Sequence, residues 1–80
     1  MSVKKEKKVC IGDKVLLDNG IKGEVRFIGH VGDKKGIFYG IKLTEPKGKN
    51  NGCIDSVKYF ECEEDYGLFV HRSRIKKFKR

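Results

Sequence analysis

The sequence predicts an all-β fold, a small barrel or sandwich with little helix. Three observations carry this. Turn signals recur roughly every 8–12 residues. No ten-residue window holds the apolar period of an amphipathic helix. Ten of the eighty residues are glycine, which suits tight turns and close backbone approach. Eighty residues make one small domain, which buries only about 60–65% of its unfolded surface. That length excludes a βα barrel or a dinucleotide-binding enzyme.

The elements follow in chain order. Residues 1–9 place Lys4, Lys5, Lys7 and Lys8 within five positions; these charges repel and bury nothing, so 1–9 reads as a disordered basic arm. Residues 10–78 are assigned to the domain, and 79–80 to a basic end. Val15, Leu16 and Leu17 form a short apolar run closed by Asp18-Asn19-Gly20, where Asn-Gly supplies a positive-φ turn. Residues 23–29 alternate, with Val25 and Phe27 on one face and Glu24, Arg26 and Ile28 on the other. A loop with Gly29, Gly32 and Gly36 leads to a third strand, 38–43, with Phe38, Gly40 and Lys42 opposite Tyr39, Ile41 and Leu43. Gly40 inside that strand leaves a shallow groove floor or marks a barrel bend.

Residues 44–52 are rich in turn signals and hold the one proline, Pro46. Short strands are expected at 53–55 and 57–61, followed by the acidic loop Glu63-Glu64-Asp65 and a strand over 67–71. Ser73 is placed to start a single helical turn, and 75–78 to form a last edge segment. The expected core is Val15, Val25, Phe27, Ile41, Leu43, Tyr59, Leu68 and Val70.

Nineteen Lys and Arg against eleven Asp and Glu give a net charge of +8, which attracts polyanions of any kind. No apolar run approaches the ~18 residues of a membrane helix. The N-terminus lacks the apolar stretch of a signal peptide, so a cytoplasmic protein without membrane insertion is expected. The three cysteines, Cys10, Cys53 and Cys62, form no Cys-x-x-Cys pair, and His30 and His71 stand apart from them. No metal, disulfide or cofactor is expected. Catalysis is not expected either. Glu61, Glu63, Glu64 and Asp65 read as an exposed loop, and Ser56 and Ser73 have no evident base.

Several segments together carry a resemblance: Gly36-Ile37-Phe38-Tyr39-Gly40-Ile41, Pro46-Lys47-Gly48-Lys49-Asn50-Asn51-Gly52, Lys58-Tyr59-Phe60-Glu61-Cys62 and Gly67-Leu68-Phe69-Val70. With Gly12-Asp13-Lys14-Val15 and the stretch at 23–29, they cover about residues 12–78. The chain resembles the CAP-Gly domain. That resemblance implies a strongly bent antiparallel barrel-like sandwich. It also implies a monomeric, non-catalytic module that binds acidic C-terminal tails ending in Glu-Glu-Tyr or Glu-Glu-Phe, as on α-tubulin and end-binding proteins, at microtubules in the cytoplasm. The implied peptide site is Phe38, Gly40, Lys49, Asn50, Asn51, Phe69 and Arg74.

The chemistry suits those residues. Lys49 offers a mobile ammonium for carboxylates. The amides of Asn50 and Asn51 can donate to carboxylate oxygens and accept from peptide N–H groups. Phe38 and Phe69 can wall a slot for a terminal aromatic ring. Four positions depart from the family pattern. Asn51 stands where Asp is usual, Phe38 where Trp is usual, and Asp33 where an aromatic is common. Ser56 occupies a turn position usually held by glycine, which is strained if its φ is positive. The opening strands also look like small SH3-like domains, which keeps a basic RNA- or DNA-binding module as the alternative.

The cysteine and histidine spacings generate a first test. Chelator treatment is expected to leave the melting curve unchanged, and a large fall in the midpoint would contradict the reading of these residues.

Overall fold

A five-stranded antiparallel sheet in the order β6-β3-β2-β1-β7 and a two-stranded hairpin, β4-β5, organise the chain. The computed structural model describes residues 8–79. The strands are β1 (Lys14–Leu17), β2 (Lys22–Gly29), β3 (Phe38–Leu43), β4 (Cys53–Ile54), β5 (Val57–Lys58), β6 (Gly67–His71) and β7 (Ile75–Lys79). A 3₁₀ turn at Arg72–Arg74 is the one helical element among the described residues, at the place where Ser73 suggested it. The fold is the all-β class that the turn spacing predicts.

The β1–β2 turn forms as its residues dictate. Gly20 takes φ +87° and its N–H donates to the Leu17 carbonyl at 2.9 Å, while the Asn19 Oδ1 accepts from the Ile21 N–H at 3.0 Å. Sequence reasoning extended β4 to Asp55 and β5 to Glu61. The structure shortens each to two residues, because Tyr59 and Phe60 turn their N–H groups onto the Gly52 carbonyl at 2.9 and 3.3 Å.

One β-bulge sets which side chains meet. Val25 pairs with Ile41, but Phe27 pairs with Gly40, so Arg26 is the extra residue. Cross-strand partners share a face. Phe27 therefore leaves the side of Val25 and joins Gly40 and, through Gly40, Phe69. Strict alternation had placed Val25 and Phe27 together and Ile28 opposite; the bulge reverses this, and Ile28 packs on the core.

The main core holds Val9, Val15, Leu17, Val25, Ile41, Leu43, Val70 and Ile75, with Leu68, Phe78 and Ile28 packed against it. Each fully buried aliphatic side chain contributes about 1.5–3 kcal/mol. Val9 was grouped with the basic arm, and the structure packs it here. Asp13 holds the approach: its buried Oδ2 accepts from the Cys10 N–H at 2.9 Å, and its carbonyl accepts from the Val25 N–H at 2.9 Å. The rest of the expected arm, apart from Lys8, lies outside the described residues.

Phe27 and Tyr59, both expected in the core, instead build a second cluster on the other face. Phe27 lies 5.1 Å from Tyr59 and 6.1 Å from Phe69, and Phe69 lies 5.4 Å from Phe60, ring centre to ring centre. Gly40 makes this possible. A Cβ there would stand 2.6 Å from Phe60 Cε1 and 3.0 Å from Phe27 Cβ, so only a bare backbone lets Phe60 lie on the sheet.

The β4–β5 hairpin turns through Asp55 and Ser56 at φ +52° and +69°. A two-residue turn with both φ values positive favours Asx-Gly, and Ser56 accepts the left-handed conformation at a cost. Ser56→Gly is expected to stabilise the domain by about 0.5–1 kcal/mol, a rise of a few degrees in melting midpoint. An unchanged or lowered midpoint would show that the turn carries no strain.

Candidate functional site

The loop at 47–52 owes its shape to the first residue of β6. The N–H groups of Lys49 and Asn50 both donate to the Gly67 carbonyl, at 2.8 and 3.2 Å, and the Gly67 N–H donates back to the Asn50 carbonyl at 2.8 Å. The Gly48 N–H reaches the Asp65 carbonyl at 2.6 Å. A side chain at Gly67 would collide with Asn50 Oδ1 and with the backbone of Asn50 and Gly52. The loop thus lies directly on the sheet edge.

Within the loop the two asparagines act in series. Asn50 Oδ1 accepts from the Gly52 N–H at 2.9 Å, and Asn51 Oδ1 accepts from the Cys53 N–H at 3.3 Å. Each side-chain oxygen thereby accepts a bond from the loop itself. The amide NH₂ groups remain as donors to a ligand. The Asn51 carbonyl also accepts from the Cys62 N–H at 3.2 Å, which ties the loop to the segment after Phe60. Burial pushes the Cys62 thiol above its ordinary value against the opposing pull of Lys42 and Arg26. It stays protonated at neutral pH, as expected of a packing cysteine rather than a nucleophile.

Beside the loop runs an open groove of about 450 Å³. Five of the seven expected site residues, Phe38, Lys49, Asn50, Phe69 and Arg74, line it. Phe38 and Phe69 reach it from β3 and β6. Phe38 stacks on His71 with ring centres 4.3 Å apart, and Phe69 is held by the rings of Phe27, Tyr59 and Phe60. The other two expected residues sit elsewhere. Gly40 is buried, and the room it leaves is taken by the Phe60 ring, which in turn backs Phe69. Asn51 is half-buried behind Asn50.

Lys34, Lys47, Val31 and Ile54 also line the groove and were not singled out in the sequence. Lys47 carried the signal of its neighbours in the loop. Val31 and Ile54 had none, since their approach depends on how the hairpin folds over. The lining includes Lys34, Lys47, Lys49 and Arg74 and no carboxylate. Arg74 is already engaged: its Nε contacts both Asp18 carboxylate oxygens, at 2.8 and 2.9 Å. Lys47 pairs with Glu45 at 3.5 Å. Lys34 and Lys49 have no carboxylate within 4.0 Å among the described residues.

Val31, Lys34 and Ile54 also line an adjoining hollow with Asp33 and Tyr59, so the groove continues past them. Its far end is partly closed by a hydrogen bond from the Gly32 N–H to the Tyr59 hydroxyl at 2.9 Å. Asp33 brings a carboxylate to this end, about where the family pattern has an aromatic.

Comparison with known proteins places this geometry. The family model described as CAP-Gly domain matches residues 11–75. CAP-Gly domain-containing linker protein 3 of Homo sapiens is 43% identical over 67 residues, 84% of this chain and 12% of that protein. Dynactin subunit 1 of Gallus gallus is 38% identical over 74 residues, 91% of this chain and 6% of its own length. The chain thus spans a small fraction of the curated relatives it matches. The solved Bik1 CAP-Gly domain with an ETF peptide from Bim1 superposes with a TM-score of 0.73 at 34% identity, covering 79% of this chain and 77% of that one.

The double use of Asn50 yields a sharp expectation. Asn50→Ala removes the acceptor for the Gly52 N–H and should cost about 1–2 kcal/mol of stability. Asn50→Asp keeps that acceptor and should leave the melting midpoint close to that of the parent. Equal losses in the two variants would show that the loop does not depend on this bond.

Proposed function

The chain belongs to the CAP-Gly domain family, and from that premise we propose that its groove binds the acidic, carboxylate-ending tail of a partner protein. The observation that carries this is the groove lining. The uncompensated Lys49 ammonium and the Asn50 amide lie beside two aromatic walls, with no carboxylate in the lining to oppose an anion. Lys49 holds an acidic side chain or the terminal carboxylate, and the Asn50 NH₂ donates to the same oxygens. Phe38 and Phe69 flank the final aromatic ring. Lys34, across the groove, adds charge to the far rim. Gly40 and Asn51 act from behind, the first by seating Phe60 against Phe69 and the second by fixing the loop. Arg74, held by Asp18, keeps its terminal nitrogens for the ligand.

The Bik1 domain's ETF peptide, read in one-letter code, puts phenylalanine two residues after glutamate. This is the same pairing of charge and ring. By resemblance the tails are those of α-tubulin or end-binding proteins, which makes the module microtubule-associated and cytoplasmic. It performs no chemistry; it recognises an end. The Asp33 carboxylate at the far end of the groove disfavours glutamates that extend in that direction, which selects how the tail lies.

Calorimetry with a peptide ending in Glu-Glu-Tyr tests this. The free-acid peptide should bind, and the same peptide amidated at its end should lose most of its affinity. Lys49→Ala should weaken binding roughly tenfold with little effect on folding, since an exposed loop lysine packs little. Asn50→Asp should fold and fail to bind, because it sets a carboxylate against the ligand's own. An amidated peptide that binds as well as the free acid would disprove the carboxylate-reading mechanism.

A further inference from the structure

We propose that the outer face of β1, β2 and β7 is a second anion site, which takes an extended, glutamate- or aspartate-rich peptide segment lying along the β7 edge. The register places its charges. Leu16 pairs with Lys22 on one side and with Lys77 on the other, so the three share one face. Two residues along, Lys14 stands between Glu24 and Lys79 on that same face. These four lysines, with Lys76 beside them, frame a half-buried leucine in a shallow depression of about 680 Å³. Lys14 approaches Glu24 only to 3.8 Å, and Lys22, Lys77 and Lys79 have no ion-pair partner among the described residues.

The spacing fits a peptide. Lys77 and Lys79 repeat every second residue, about 6.6 Å, and the side chains on one face of an extended ligand strand repeat at that same interval. β7 is also the last strand of the sheet among the described residues, which leaves one side of its backbone without a strand neighbour there. Lysines along such an edge repel a second copy of the same edge and admit an acidic one. Nucleic acid fits less well. The cations lining the depression are lysines, without the forked geometry that grips phosphate, and the nearby Arg26 guanidinium lies 3.9 Å from the Glu24 carboxylate. The one aromatic ring in the depression, Phe78, pairs with Val15 on the core side and has the Arg72 guanidinium 5.2 Å from its centre, which leaves no free ring for a base to stack on.

This site differs from the groove in needing neither a chain end nor a terminal ring. The probe is an octaglutamate peptide acetylated and amidated at its ends, titrated into the isotope-labelled chain. Chemical-shift changes should centre on Lys14, Leu16, Lys22, Lys77 and Lys79 and spare Lys49 and Asn50. The double variant K77E/K79E should weaken this binding at least tenfold and leave binding of a free-acid Glu-Glu-Tyr peptide within twofold. If that variant loses its dispersed spectrum, K77Q/K79Q, which removes both charges without adding repulsion, carries the test with a smaller expected loss. Shifts centred on the groove, indifference to both variants, or tighter binding of an eight-residue thymidine oligonucleotide or of phosphatidylserine vesicles at this same face would each overturn the proposal.

Discussion

A single extra residue in β2 decides what this sheet can do. Without the bulge at Arg26, Phe27 would follow Val25 into the core, and Tyr59 and Phe69 would each lose a ring partner on the opposite face. With it, Phe27, Gly40 and Phe69 line up across three strands. The sheet then buries apolar side chains on both faces: aliphatic ones in the main core, and rings beneath the segment that carries Tyr59 and Phe60. Phe69 consequently has two roles. Its neighbours fix its ring, and its free side walls the groove. A wall fixed by its own packing loses little entropy when a ligand arrives.

Gly67 couples this aromatic face to the loop. Its carbonyl receives two loop N–H groups, its N–H returns one bond, and the chain then runs directly through Leu68 into Phe69. The position of the loop backbone at Lys49 relative to the aromatic wall is therefore set by backbone bonds. The asparagines extend the same rigidity outward, since Asn50 and Asn51 each close a turn with their own oxygens. Asn51 where the family has Asp keeps an acceptor for the Cys53 N–H, so the departure removes a negative charge beside the groove without removing the bond.

Most strands were legible from alternation and turn residues because those signals are local. The bounds of β3 and β6, and the Asn19-Gly20 turn, needed nothing beyond the sequence nearby. The facing of Phe27 was not legible, because a bulge is a pairing event between β2 and β3 and leaves no clear mark in β2 alone. The hairpin strands were overdrawn for a similar reason: Val57 to Glu61 looks like a strand, but Gly52 draws Tyr59 and Phe60 out of it. In the groove, the loop and the two phenylalanines came from the family resemblance, since a turn and two aromatic residues by themselves read equally as loop and core. Lys34 and Val31 in the β2–β3 loop and Ile54 in the hairpin were not legible, since they meet at the groove only in the folded chain. Gly40 was seen as a gap, and only the structure shows that Phe60 fills it.

The charge of the chain divides between two kinds of cation, and this separates attraction from recognition. Arg74 on Asp18, Lys58 on Glu61 and Lys47 on Glu45 are already neighbours of carboxylates, so they add little net field at close range. Lys34 and Lys49 are not, and both face the groove. At physiological ionic strength the screening length is about 8 Å, so the overall +8 guides an acidic partner only during its approach. In the proposed complex, the decision then passes to groups within hydrogen-bonding reach and to the fit of a ring between Phe38 and Phe69. A basic surface alone cannot distinguish one polyanion from another. In the proposed mode, a loop that offers an ammonium and amide donors beside an aromatic wall would distinguish a carboxylate followed by a ring from an equally charged strand that lacks one.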